Sequence, residues 1–146
     1  MASVAKRPDG RYRARYRDAG GKEHARHFTR KVDAQRWLDG QTTALVTGTH
    51  VDPKTARTTV GEWCDTWLTG YATRRPGTVR QARVHVGAIR AEFGTVRLGD
   101  VRPSQVKAWT ANMAAEGKAP SSVYATYRRL AQIMGDAVHD GLIPRS

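Results

Sequence analysis

The chain is 146 residues long and carries 25 Lys and Arg against 13 Asp and Glu, a formal net charge of +12. With 39% hydrophobic residues it can bury one ordinary core or two small ones, which excludes a disordered basic tail. The charge balance favours a polyanionic partner, nucleic acid first and an anionic membrane surface second. No apolar run approaches membrane-spanning length, and the opening MASVAKRPDG has no apolar signal core. Cys64 is the single cysteine, so no intramolecular disulfide forms and a reducing cytosol fits. Of the five histidines only His24 and His27 lie close. Three residues apart on a strand they face opposite sides, so no metal site is expected. Nothing points to a cofactor or a small-molecule ligand.

A polar stretch, TGTHVDPKTART at 47–58, contains Gly48 and Pro53, shows no apolar period, and reads as a linker. Residues 1–58 hold 13 basic and 6 acidic side chains, and residues 59–146 hold 12 and 7. Both halves are therefore basic, and both suit the same kind of partner.

The first half predicts three strands and one helix. The strands are 3–6, 11–17 and 22–29, separated by the turn signals PDGR (8–11) and DAGGK (18–22). The third strand alternates poorly, and Phe28 is its clear core residue. Thr29 is placed to cap a helix. Ala34, Trp37, Leu38 and Leu45 then fall on one helical face. The middle strand, RYRARYR, alternates with period two. Tyr12, Ala14 and Tyr16 should pack under the helix, leaving Arg11, Arg13, Arg15 and Arg17 on the other face. No acid interrupts the row. Like charges side by side repel, so a counter-charge on a partner explains them better than a solvated face does. A small sheet fits the major groove of B-DNA, where arginines reach phosphates or the O6 and N7 atoms of guanine. Arg26 on the third strand joins this set of candidates.

The second half predicts four helices. TVGE at 59–62 is a capping box, followed by Val60, Trp63, Cys64, Trp67, Leu68 and Tyr71 on one stripe. Cys64 lies on that stripe and reads as a small buried hydrophobe. The second helix follows RRPG at 74–77, with Thr78 as its cap. Val79, Val86, Ile89 and Phe93 form its core face, and Arg80, Gln81, Arg83 and His85 its outer surface. The third starts near Pro103 and Ser104, with Val106, Trp109 and Met113 inward and Gly117 at its end. The fourth starts at Pro120, Ser121 or Ser122, with Val123, Tyr127, Leu130, Met134 and Ala137 inward. Ser121, Arg128 and Gln132 share another face, with Arg129 beside them. Gly141, Leu142 and Pro144 read as a Schellman-type stop. Helix starts carrying Thr78, Ser121 and Ser122 suit phosphate, and Arg80, Arg83, Arg128 and Arg129 add charge. Gln81 or Gln132 has the chemistry to read a base edge.

These residues resemble a known family, the phage-type and integrative-element tyrosine recombinases (integrases) of actinobacteria and their phages. DGRYRARY at 9–16 and FTRKVDAQRWL at 28–38 resemble an AP2-like arm-type DNA-binding domain. GTHVDPKTARTTVGEWCDTWL at 48–68 looks like the linker and first helix of a core-binding domain. The Thr78 helix start and AVHDGLIPRS at 137–146 resemble the later part of that domain. Ala82 departs from the aromatic residue of many relatives. The resemblance implies an α+β chain: an AP2-like three-stranded antiparallel sheet with one helix at 1–47, a linker at 48–58, and an all-α, four-helix SAM-like domain at 59–146. It implies binding of double-stranded DNA at arm-type and core-type attachment sites, in integration and recombination, within the bacterial cytoplasm at the nucleoid. The implied partners beyond DNA are further integrase protomers and accessory DNA-bending proteins, with no membrane.

The family's tyrosine nucleophile belongs to a catalytic domain that this sequence does not match. Tyr71, Tyr124 and Tyr127 are helix residues of the wrong domain, and no catalytic residue is expected. The chain as given should bind DNA without cutting it, as an excised fragment or a short natural product. Three other readings compete. One is a stand-alone DNA-binding regulator or accessory protein. Another is a protein-interaction module whose helical half mediates oligomerisation. The third, a complete enzyme, has no paired carboxylates or nucleophile–base spacing to support it.

Overall fold

The alternation of YRARYR becomes the middle strand of a sheet in the computed structural model, which describes residues 2–145. Strands β1 (Ser3–Lys6), β2 (Tyr12–Arg17) and β3 (Glu23–Phe28) pair antiparallel in the order β1-β2-β3. Each hairpin turn closes on a glycine with φ above +80°, Gly10 and Gly21, a backbone state that costs side chains with a Cβ. Arg11 belongs to the first turn, not to β2. Its N–H donates to Asp9 Oδ1 at 3.0 Å and its carbonyl accepts from Arg7 N–H at 2.7 Å. Asp18 organises the second turn, where Oδ1 accepts from the N–H groups of Gly20 and Lys22, each at 3.0 Å.

Helix α1 (Lys31–Thr47) covers one face of the sheet. Ala14 and Tyr16 meet Ala34 and Leu38 in a small core, with Val4, Tyr12, Phe28, Trp37 and Leu45 packed around it. The Tyr16 hydroxyl lies 3.1 Å from Gln41 Oε1 and 2.7 Å from His50 Nε2, so the one polar atom of the central aromatic is satisfied. Thr29 is not the helix cap. Arg30 occupies that position in extended backbone, with no side chain closing the turn, and the helix begins at Lys31.

The chain divides into two units, Met1–His50 and Val51–Ser146. The outermost residues, Met1 and Ser146, lie outside the described residues, and so do the outer limits of the two expected domains. In the second unit a one-turn 3-10 helix (Thr55–Arg57) precedes α2 (Val60–Tyr71), α3 (Pro76–Phe93), α4 (Pro103–Ala115) and α5 (Pro120–His139). A second 3-10 turn, Leu98–Asp100, joins α3 to α4.

Thr59 caps α2 by accepting from Glu62 N–H at 3.2 Å. The return bond runs from its hydroxyl to the Glu62 carboxylate at 3.0 Å, a variant of the capping box. Val60, Trp63, Cys64 and Trp67 are buried against Ala82, Val86, Ile89 and Phe93 of α3 and Leu130, Ile133 and Ala137 of α5, with Trp109 and Met113 from α4. Full burial of a residue such as Ile89 or Ile133 stabilises by about 1.5–3 kcal/mol. Trp63 Nε1–H donates to the Ile133 carbonyl at 2.9 Å, pinning α2 to α5 through its polar end. Burial pushes the Cys64 thiol up to about 11, so it stays protonated and inert at neutral pH.

Two expected features of this unit are corrected. Thr78 does not cap the second helix, which begins at Pro76 with Arg75 as its cap. The proline ring is already set for the first helical position, so the helix starts three residues earlier. Tyr127 is not core, being 41% exposed. The buried side of α5 is centred on Thr126, Leu130, Ile133 and Ala137, and Tyr127 falls to one flank. Beyond α5, Leu142 N–H bonds the Ala137 carbonyl and Gly141 N–H the Val138 carbonyl, at 3.0 and 3.1 Å, the paired bonds of a Schellman stop. No helix among the described residues is long and apolar enough to cross a membrane.

Candidate nucleic-acid interface

In the first unit the pleat puts Arg13, Arg15 and Arg17 on the sheet face away from α1, all exposed. Their cross-strand neighbours are fixed by register. Arg13 lies between Ala5 and His27, Arg15 between Ser3 and Ala25, and Arg17 beside Glu23. The flanking residues are small except at the ends, so the arginines stand above the sheet. Arg11 extends the row from the turn, and Arg7 reaches in from the β1–β2 connection to His27 Nε2 at 2.7 Å. Sequence reasoning missed Arg7 and His27, because only the register brings them beside Arg13.

The row is not free of acid, as the sequence suggested. Glu23 on β3 lies 3.5 Å from Arg13 and 3.4 Å from Arg17, and Arg15 Nε–H donates to Ser3 Oγ at 3.1 Å. Glu23 partly neutralises two arginines and sets their direction. These pairs are exposed, where ion pairs are weak, so a phosphate can replace the carboxylate at little cost. Arg26 does not join the row. It pairs across from Ala14 and so lies on the α1 side of the sheet, with its guanidinium 5.3 Å from the Phe28 ring centroid.

In the helical unit α3 and α5 pack side by side, and a polar seam runs along their junction. At its centre is His85, 7% exposed and therefore not the surface residue the sequence suggested. Arg129 Nε–H donates to His85 Nδ1 at 3.2 Å, and its Nη1–H groups donate to Tyr71 Oη at 3.1 Å and Gln132 Oε1 at 2.9 Å. Its guanidinium carbon also sits 5.3 Å from the Tyr71 ring centroid, with Trp67 stacked on Tyr71 beyond. Arg129 is thereby an internal tie between α2, α3 and α5.

Because Arg129 uses the Nδ1 lone pair, His85 is neutral with its proton on Nε2. The Gln81 side-chain amide lies 3.1 Å from Nε2 and accepts that proton when its oxygen faces the ring, an orientation assigned from the hydrogen bonding. Burial, and then the Arg129 charge, hold His85 below its ordinary value of 6.5. The unfolded chain therefore takes up a proton that the folded one refuses, and stability rises with pH in that window. The helical unit is expected to hold full stability above about pH 6.5 and to lose it progressively below. Urea unfolding of the chain and of His85→Gln across pH 7.5 to 5 checks this. The wild type should lose more stability than the variant, and parallel profiles would refute the assignment.

The remaining predicted residues separate into groups. Arg80 and Arg83 are exposed on the outer side of α3. At about 100° per residue Gln81 sits roughly 160° round the helix from Arg83, on the seam side. Thr78 is exposed in the first turn of α3. Ser121 and Ser122 are exposed in the first turn of α5, and the Ser122 carbonyl accepts from Thr126 Oγ1. Arg128 is exposed, its guanidinium carbon 5.9 Å from the Tyr124 ring centroid, and Gln132 is exposed while bonded to Arg129. Ser121, Arg128 and Gln132 thus form the outer ridge of α5, with Gln81 across the seam on α3.

A basic sheet-and-helix unit followed by a basic four-helix unit makes this a two-part α+β chain. Residues 2–48 match the family model described as phage integrase, N-terminal domain. The whole fold is similar to two solved structures of lambda integrase, one a tetramer bound to a Holliday junction and one a dimer bound to a COC′ core site. Each is 24% identical with a TM-score of 0.56 over 96% of this chain, and the chain spans 43% and 41% of their lengths. No curated protein matches the sequence. Residues 2–48 are thus similar to phage integrase N-terminal domains, and the chain shares its fold with the matching part of lambda integrase.

Proposed function

We propose that the chain binds double-stranded DNA as the N-terminal portion of a site-specific tyrosine recombinase. Residues 1–47 take arm-type attachment sites, 48–58 link, and 59–146 grip core-type sites. The observation that carries this reading is the outward arginine row of β2, held above a packed core and next to small neighbours. The α5 ridge of Ser121, Arg128 and Gln132, together with Arg80 and Arg83 of α3, supplies the second DNA-facing surface. The lambda integrase structures, in which that protein is bound to DNA as a dimer or tetramer, support DNA and further protomers as partners. The parent protein would then be a DNA recombinase working at the bacterial nucleoid. Joined in one chain, two modest sites gain through effective concentration when DNA bending brings both within reach.

Fluorescence anisotropy with labelled duplexes from the element's own attachment region, at two salt concentrations, tests the proposal. The intact chain and residues 1–58 and 59–146 are each titrated. Different duplex preferences for the two halves, both steeply salt-dependent, are expected. Binding by the first half alone would favour the interaction-module reading for the helices.

A further inference from the structure

The face of α5 turned towards α4 carries a different chemistry from its basic ridge. Two hollows of about 400 and about 360 Å³ lie along the α4–α5 junction and share Thr110 and Tyr127, so they form one continuous trough. Its floor is apolar, built from Val106, Leu130 and Met134. Tyr124 and Tyr127 form its wall and are 62% and 41% exposed, two of the few large hydrophobic side chains among the described residues left to solvent. The charged side chains that line it are Arg102 and Lys107, both cationic and both at the α4 end.

A nucleic-acid backbone does not suit this surface. Phosphates seek clustered cations and N–H donors, whereas here apolar area dominates between two cations. An amphipathic helix does suit it, laying residues at i, i+3 or i+4, and i+7 along the floor. A helix of about 11 residues is roughly 16 Å long and fits beside the 13 residues of α4. Charge complementarity decides its flanks. Carboxylates would meet Arg102 and Lys107, whereas a basic helix, such as most of those in this chain, would be repelled.

We propose that the α4–α5 trough is a docking site for an amphipathic, acidic-flanked helix of a partner protein. On α5 the trough borders the basic ridge, the Arg128 guanidinium carbon lying 5.9 Å from the ring centroid of the wall residue Tyr124. The inference does not depend on the DNA-binding proposal.

The test uses the full chain and two designed, fluorescein-labelled 14-residue helical peptides. Both carry the same leucine stripe, one flanked by glutamates and one by lysines. The glutamate peptide should bind saturably and at least tenfold more tightly than the lysine peptide. Lys107→Glu should invert that preference, weakening the first peptide and strengthening the second. Nitrogen-15 spectra should show shifts at Val106, Thr110 and Ala131. Equal binding of both peptides, no binding, or no inversion in Lys107→Glu would overturn the proposal. So would displacement of the peptide by a DNA duplex with shifts at the same residues, which would make the trough a nucleic-acid surface.

Discussion

Replacing Arg13 and Arg15 together by alanine is expected to weaken binding of an arm-type duplex by more than tenfold. The plot of log K against log salt should flatten by about 0.9 for each phosphate that is no longer neutralised, or about 1.8 for two. Both side chains are exposed on the face away from α1, so their removal should leave the core of Ala14, Tyr16, Ala34 and Leu38 intact. The same geometry makes an opposite prediction for Glu23. It lies within 3.5 Å of Arg13 and Arg17 and competes with phosphate for both, so Glu23→Gln should tighten binding and steepen the salt slope. Anisotropy titrations at several salt concentrations measure both effects. An unchanged slope in the double variant would remove the arginine row from the interface.

Arg129→Ala and Arg128→Ala, neighbours in sequence, are expected to behave oppositely. Removing Arg129 deprives His85 Nδ1, Tyr71 Oη and Gln132 Oε1 of their donor and empties the space beside Tyr71. Partly buried acceptors without partners, together with the missing packing of the arginine stem, should cost about 2–3 kcal/mol of stability. Arg128 is exposed, and its removal should change stability by less than about 0.5 kcal/mol while weakening duplex binding. Urea unfolding followed by tryptophan fluorescence separates the two. An Arg129→Ala variant as stable as the wild type but unable to bind DNA would make Arg129 a direct ligand instead.

These two arginines show where the sequence is readable and where it is not. Period-two and period-3.6 patterns report which side of an element is apolar, and so β2 and the stripes of α2 and α3 follow from the residues alone. The pattern does not say which polar residue meets another element. Arg129, His85 and Gln81 look like an exposed basic face in one dimension. Only the packing of α3 and α2 against α5 turns His85 inward and brings His85 Nδ1 and Tyr71 Oη to Arg129. The arginine row was legible for the same reason that Glu23 was not. The row is local to one strand, whereas Glu23 reaches it through the β2–β3 register. Arg26 was misread by one pleat, because the poor alternation of EHARHF does not reveal which side faces the helix. The helix starts failed at Thr29 and Thr78, where a capping residue stands near the true start but Arg30 and the Arg75–Pro76 pair occupy it.

The central claim is that DNA lies on the sheet face bearing Arg13, Arg15 and Arg17 and on the outer ridge of α5. A nitrogen-15 NMR titration of the intact chain with an attachment-site duplex tests it most directly. Shifts and line broadening should concentrate at Arg13, Arg15, Arg17, Ala25 and His27, and at Ser121, Arg128 and Gln132. Perturbation confined to the exposed side of α1, with the outward residues of β2 and β3 unmoved, would contradict the account.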